Sequence, residues 1–267
     1  MRSLILNPKM LPSSVDTFCA YRLGDNLAHL HFLRGLAKLN PHTQFTHACH
    51  LCYMDQLSEV VYDLPNLRLI PLDYKPLNSI DAWKNAGGFW DTHPLKNDYA
   101  AFYLKFFDHL AERMELESPF SDPYDLLFDY PAINKPTKLC DPFDILIINS
   151  KPMSNQWQGY SEDQMTQMVA ALAKKYSVIT TQKCRVGVPC TQGNFTVTSI
   201  GTLSLSCKYI VGASTGPSWP TFNIWNKETV KRRIILLDHE DVNIAPNTVC
   251  CKSVLEAKKM LQLEGIL

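Results

Sequence analysis

The chain has 267 residues, 46% of them hydrophobic, enough for one large or two modest globular domains. Lysine plus arginine equals aspartate plus glutamate, 26 against 26, a balance that argues against a nucleic-acid binder working through bulk charge. No apolar run reaches the roughly 20 residues that span a bilayer, and Met1–Pro8 has too short an apolar core for a secretory signal. The expectation is a soluble, cytoplasmic chain with at most peripheral membrane contact.

Thr17–Arg22 reads as a strand, followed by Leu23-Gly24-Asp25-Asn26 and a helix in which Leu27, Leu30, Leu33, Leu36 and Leu39 recur at helical spacing. Asn40-Pro41 stops that helix. Gln44–His50 reads as a second strand, Met54–Asp63 as a second helix and Leu67–Leu72 as a third strand. Strand-helix-strand-helix-strand is the mark of a parallel sheet with crossover helices. No Gly-x-Gly-x-x-Gly fingerprint supports a nicotinamide-type dinucleotide site. Residues 74–97 are irregular and carry Trp83, Gly87, Gly88, Phe89, Trp90 and His93, either a substrate-contacting loop or a cover over the sheet edge. Asp98–Glu115 is a helix with one apolar face of Phe102, Tyr103, Phe106, Phe107, Leu110 and Met114. Pro119, Pro123, Pro131, Pro136 and Pro142 then break the rhythm, which places a domain boundary near residues 135–142.

The second half restarts the pattern: strand Asp144–Asn149, polar loop Ser150–Tyr160, and a helix opened by Ser161-Glu162-Asp163 with Met165, Met168, Val169, Leu172 and Ala173 inward. Strands follow at Ser177–Thr181 and Asn194–Val197, with a short helix at Thr202–Cys207. After a further strand at Arg233–Leu237, Ser253–Leu263 closes the chain as an amphipathic helix with room to pack back on the first domain. The fold class is therefore α/β, with two Rossmann-like domains, 1–138 and 139–267, facing across a cleft at the carboxyl ends of their strands.

The most informative stretch is Tyr209-Ile210-Val211-Gly212-Ala213-Ser214-Thr215-Gly216-Pro217-Ser218-Trp219. A buried strand breaks at small and hydroxyl residues, and Pro217 opens a helix expected to run to about Asn226. Free N–H groups at that helix end, the hydroxyls of Ser214, Thr215 and Ser218, and close approach at Gly216 suit a phosphate. An ordinary capped helix uses the same residues. Nine cysteines show no disulfide rhythm, and reduced thiols are expected. His47-Ala48-Cys49-His50-Leu51-Cys52 has zinc-like spacing, but no second pair matches it, since Cys184 and Cys190 lie too far apart in sequence. No metal site is assigned.

Arg22-Leu23-Gly24-Asp25 with its leucine-rich helix and Asn40-Pro41, Asn149-Ser150 followed by Trp157 and a helix before Val178-Ile179-Thr180-Thr181, and Gly212–Trp219 occur in an order that resembles the ADP-heptose:lipopolysaccharide heptosyltransferases. The resemblance covers about Thr17 to Leu237. It implies a GT-B fold and an inverting, metal-independent transfer of a sugar from a nucleotide-diphosphate sugar, a co-substrate rather than a cofactor, to a glycan or glycolipid acceptor. Under it the first domain is the acceptor side, with Asp25 the general base between Gly24 and Asn26, and the second binds the donor. Thr215, Gly216, Pro217 and Ser218 then hold the leaving diphosphate, Lys151 and Lys183 on loops after neighbouring strands are the added cations, and Ser150, Gln156 and Ser214 complete the donor-binding set. Ser214 stands where the family has an acid, Trp219 where it has a histidine, and Asn155-Gln156-Trp157 where it has Lys-Arg-Trp. Those departures leave open a non-catalytic nucleotide or glycan binder, and an epimerase or hydrolase acting on nucleotide sugars is the other alternative.

Overall fold

The computed structural model describes residues 12–83, 98–133, 142–153, 157–193, 195–238 and 244–267. Two separate parallel sheets are present. The first takes β1 (Ser14–Cys19), β2 (Gln44–Cys49), β3 (Leu67–Pro71) and β4 (Ile80–Asp81) in the order β3-β2-β1-β4. The second takes β5 (Ile145–Ile148), β6 (Val178–Thr180), β7 (Tyr209–Ala213), β8 (Arg232–Leu236) and β9 (Thr248–Cys251) in the order β6-β5-β7-β8-β9. All pairings are parallel. β5 is Ile-Leu-Ile-Ile with every side chain buried, the continuous apolar run that a strand covered on both faces requires. At Gly212 a Cβ would lie 2.1 Å from Ile148 O, and φ is +146°, so β5 and β7 pair closely only because that position is glycine.

Helix α1 (Leu23–Leu39) is the central element of the first half. A three-residue leucine step falls short of the 3.6-residue turn, so the row winds around the helix rather than keeping to one face. Leu27, Leu30, Leu33 and Leu36 are all fully buried, whereas Leu39, at the frayed end, is 59% exposed. α1 is enclosed on nearly every side, and its polar Asn26, His29, His31 and Arg34 are buried too. Arg34 is held by a bidentate pair to Asp63, at 2.5 and 2.9 Å, and by the Val60 carbonyl. α2 (Met54–Val61) and α3 (Tyr99–Arg113) pack beside α1. The α3 stripe forms an aromatic layer in which Phe107 stacks on Phe32 and Phe106 on Trp83.

In the second half, α4 (Glu162–Leu172) starts at the Ser161 cap, whose hydroxyl accepts from Gln164 N. α5 (Val197–Ser204) begins five residues earlier than the sequence predicts, with Thr196 as its cap. The strand expected at Asn194–Val197 is not formed by the described part of that stretch, and Asn194 itself lies outside the described residues. The helix expected from Pro217 to Asn226 is a six-residue 3₁₀ turn, Gly216–Thr221, that contains Pro220, a residue unable to donate to an α-helical ladder. α6 (Val254–Leu263) does not return to the first half. Its Val254, Ala257 and Leu261 pack with Met165, Met168 and Leu172 of α4 over the second sheet. The boundary expected near 135–142 falls largely on undescribed residues, as do Gly87, Gly88, Phe89, Trp90 and His93.

The two halves are joined by more than a hinge. Gln56 Oε1 accepts from Val197 N at 3.0 Å, and Glu59 Oε2 accepts from the hydroxyls of Thr196 and Thr198, so α2 caps α5. Phe128 N donates to Phe222 O and Ile224 N to Phe128 O. One apolar cluster runs from the leucines of α1 through the α3 aromatics to Val197, Phe222, Ile235 and Leu237.

Candidate active site

Parallel sheets hold ligands where the strand order reverses, outside the carboxyl ends. In the first sheet the chain runs from β1 through β2 to β3 and returns to β4 on the other side of β1, so the reversal lies at β1. In the second it lies between β5 and β7. The loops after β1, β5 and β7 all line one cleft of about 700 Å³ between the halves.

From the first half, Arg22, Leu23, Gly24 and Asp25 line the cleft, with Tyr53 and Tyr103. Asp25 is the third residue of α1, and its Oδ2 accepts from the Arg22 amide at 3.0 Å. Among the described residues no other residue bonds Oδ1. Burial raises the Asp25 carboxyl above the ordinary aspartate range, only partly opposed by the Arg22 amide and guanidinium. The Asp25 charge in turn helps burial to raise the hydroxyls of Tyr99 and Tyr103 behind it. Asn26 does not reach the cleft. It is fully buried, its Nδ2 donates to Arg22 O at 2.9 Å, and its Oδ1 pairs with His47 Nε2 at 2.9 Å. His47 Nδ1 faces the Thr17 hydroxyl at 3.1 Å.

From the second half, Ser150, Lys151, Lys183, Ser214, Thr215, Gly216 and Pro217 line the cleft. Ser218 does not. It is 3% exposed, and its Oγ accepts from Thr215 N at 3.2 Å and donates to Thr215 O at 2.7 Å, closing the turn on itself. Thr215 Oγ1 faces the Ser218 amide in a capping arrangement but closes no hydrogen bond among the described residues. Gln156 lies outside the described residues. Trp157 is a buried anchor whose Nε1 donates to Lys252 O at 2.9 Å.

Gly216 has a different neighbour from the one its sequence suggests. A Cβ there would sit 3.2 Å from Leu23 Cβ and 3.3 Å from Gly24 N, and a Cβ on Gly24 would sit 3.1 Å from Trp219 Nε1. Both glycines let the start of α1 seat against the turn after β7. The openness expected for a phosphate serves, at that face, the contact between the halves.

Several cleft residues lie outside the predicted set of site residues. Asn149 clamps the second-half loops, taking Gln182 N on Oδ1 at 2.8 Å and donating Nδ2 to Gln182 O at 3.0 Å. Gln192 Oε1 accepts the Lys183 amide. Tyr160 donates to Asn149 O, and Glu162 and Thr166 come from the start of α4. Trp219 packs edge-on to Tyr103 at 5.3 Å and forms an aromatic wall. Of the cleft residues outside that set, Asn149, Trp219 and Arg22 fall within motifs, Arg22 as a basic residue immediately before Leu-Gly-Asp at a strand end. The His47–Cys52 residues diverge: His47 faces Thr17 and Asn26, Cys49 is buried against Met54, His50 meets Ala20 O, and Cys52 is exposed. Among the described residues no group of three or more His, Cys, Asp or Glu is placed to hold a metal ion.

No family model matches the sequence, and no curated protein matches it. Solved structures do resemble the fold. The Escherichia coli heptosyltransferase WaaC, held with ADP-2-deoxy-2-fluoro heptose, superposes with a TM-score of 0.56 at 12% identity, over 94% of this chain and 99% of that one. WaaC with ADP gives 0.56 at 13% identity, over 94% and 98%. The iron-containing dodecameric glycosyltransferase TibC of enterotoxigenic E. coli gives 0.55 at 16% identity, over 90% and 62%. The architecture is thus the GT-B type, two parallel α/β units facing across a cleft.

Proposed function

We propose that this chain is a glycosyltransferase that moves a sugar from a nucleotide-diphosphate sugar to an acceptor hydroxyl. One observation carries the reading: a carboxylate raised by burial and the Ser/Thr-Gly-Pro turn line the same cleft at the two points where strand order reverses. WaaC and TibC, which share the fold, are glycosyltransferases by name, and ADP or an ADP-heptose is present in the WaaC structures.

In the proposed step the acceptor hydroxyl gives its proton to Asp25 as its oxygen attacks the anomeric carbon. The bond from that carbon to the diphosphate oxygen breaks, and the nucleoside diphosphate leaves. A single displacement of this kind inverts the anomeric centre. Negative charge grows on the diphosphate, and fixed cations and hydroxyls nearby lower the barrier. Lys151, Lys183 and Thr215 are the second-half groups that we assign to this, in place of a metal ion. The acceptor, a glycan or glycolipid, enters beside Asp25. The domain division 1–138 and 139–267, with the donor on the second unit, belongs to the same reading, as does a cytoplasmic location. No helix among the described residues is long and apolar enough to cross a membrane.

A non-catalytic nucleotide binder is the second reading. It is favoured by the Asp25 oxygen already committed to the cap and by Ser218, which satisfies its own turn. Calorimetric titration with ADP, UDP and GDP, followed by donor turnover with each binding nucleotide's sugars, separates the two. Binding with turnover supports the transferase, binding without turnover supports the binder, and no binding removes both.

A further inference from the structure

We infer that Arg22, from the half opposite the Ser/Thr-Gly-Pro turn, is a diphosphate ligand, so that the donor is gripped from both sides of the cleft. The inference rests on the transferase reading for the presence of a diphosphate, and on this chain's geometry for the residue.

Among the described residues three cations line the cleft: Arg22 after β1, Lys151 after β5 and Lys183 after β6. All three are exposed, and none has a carboxylate within ion-pair distance among the described residues. Elsewhere Arg34, Lys38, Arg185, Lys208 and Arg232 are all paired with acids. Among the described residues the lining sets Asp25 and Glu162 against these three positive charges, an excess of positive charge in a molecule of zero net charge. Unpaired cations gathered in one concavity suit an anion.

Arg22 is the best placed of the three. A Cβ added to Gly216 of the second-half turn would lie 3.2 Å from the Cβ of the next residue, Leu23, and 3.3 Å from Gly24 N. A diphosphate seated on Thr215–Pro217 therefore lies beside the α1 start. The Arg22 charge acts on the hydroxyl of Tyr53, itself a cleft residue, and the Arg22 backbone is fixed by Asp25 and by Asn26. A planar guanidinium can contact two phosphate oxygens at once, which a lysine cannot.

The test is calorimetric titration of wild-type protein, Arg22→Gln and Arg22→Lys with ADP, UDP, GDP, adenosine and inorganic pyrophosphate, with circular dichroism and melting to confirm that each variant folds. The side chain is exposed, so both variants are expected to fold. Arg22→Gln should lower affinity for the nucleoside diphosphate that binds, and for pyrophosphate, by about 10- to 100-fold, the range of a lost charge-assisted bond. Adenosine binding should be unmoved, and Arg22→Lys should recover part of the loss. Wild-type binding that Arg22→Gln leaves unchanged overturns this inference alone. A wild-type protein that binds no diphosphate overturns it together with the transferase reading.

Discussion

Asp25 combines two jobs that pull in different directions. Its Oδ2 closes the first turn of α1, while burial lifts the carboxyl above the usual aspartate range. A base works best when its pKa approaches the working pH, so under the proposed reaction the lift favours proton transfer, and Oδ1, bonded by no other described residue, is available for it. Asp25→Asn keeps an oxygen for the Arg22 amide and removes the basicity. We predict a fall in kcat of about 10²–10⁴-fold with donor affinity within a few-fold of wild type. In wild-type protein the acid limb of kcat/KM should lie above the ordinary carboxylate range, because activity needs the ionised form and burial favours the neutral one. Asp25→Asn should abolish that limb. A variant turning over at the wild-type rate makes Asp25 a capping residue only. That Gly24 and Asp25 line the cleft was legible because they follow the carboxyl end of a strand, where a parallel sheet opens its cleft. Asn26 and Ser218 were not, since the same side chains serve a ligand or their own backbone equally well, and only burial separates the cases.

Among the elements, α1 tells most about where sequence reading stops. Leucine spacing correctly marked a helix, but not one buried on nearly every side with two histidines and an arginine of its own, and His47 of β2 against it. Of the histidines, His31 and His47 are the ones with values to use, held by burial near 4 and near 3, against the ordinary 6.5. In the unfolded chain they take up protons below pH 6.5, and in the folded chain they resist, so acid favours unfolding. Stability from these groups is complete above pH 6.5 and drains as pH falls toward 4 and then 3. A urea midpoint that stays nearly level from pH 7.5 to about 6.5 and falls from there to pH 5 is expected, and a flat profile throughout contradicts it. The turn after β7 yields the second prediction at this scale. Gly216→Val puts a branched side chain against Leu23 and the Gly24 amide, costing about 1–3 kcal/mol in the manner of overpacking. Thermal melting checks this, and an unchanged melting temperature means that the contact between the halves is slack. β4, with two residues, and β9, Thr-Val-Cys-Cys, escaped notice because neither is long enough to show a period. The Pro217 helix was overestimated because Pro220 was not weighed as a stop.

At the scale of the molecule, the repeated strand-helix rhythm made two parallel sheets legible, while the cover of each sheet was not. α6 stays on the second sheet because its apolar face meets the methionines of α4 there. The halves also share core and caps, from Glu59 on the threonines of α5 to Leu237 in the cluster around α1. Calorimetric unfolding should therefore show one transition, coincident by tryptophan fluorescence and circular dichroism. Two resolved transitions would mean that the shared core contributes little.

The central claim is that this cleft turns over a nucleotide-diphosphate sugar. Its most direct test is the rate of nucleoside diphosphate release from a panel of ADP-, UDP- and GDP-sugars, with a pooled glycan and glycolipid acceptor, in wild type and Asp25→Asn. The account predicts release from at least one donor, stimulated by acceptor and lowered by about 10²–10⁴-fold in the variant. Release from none, or equal release by both proteins, contradicts it.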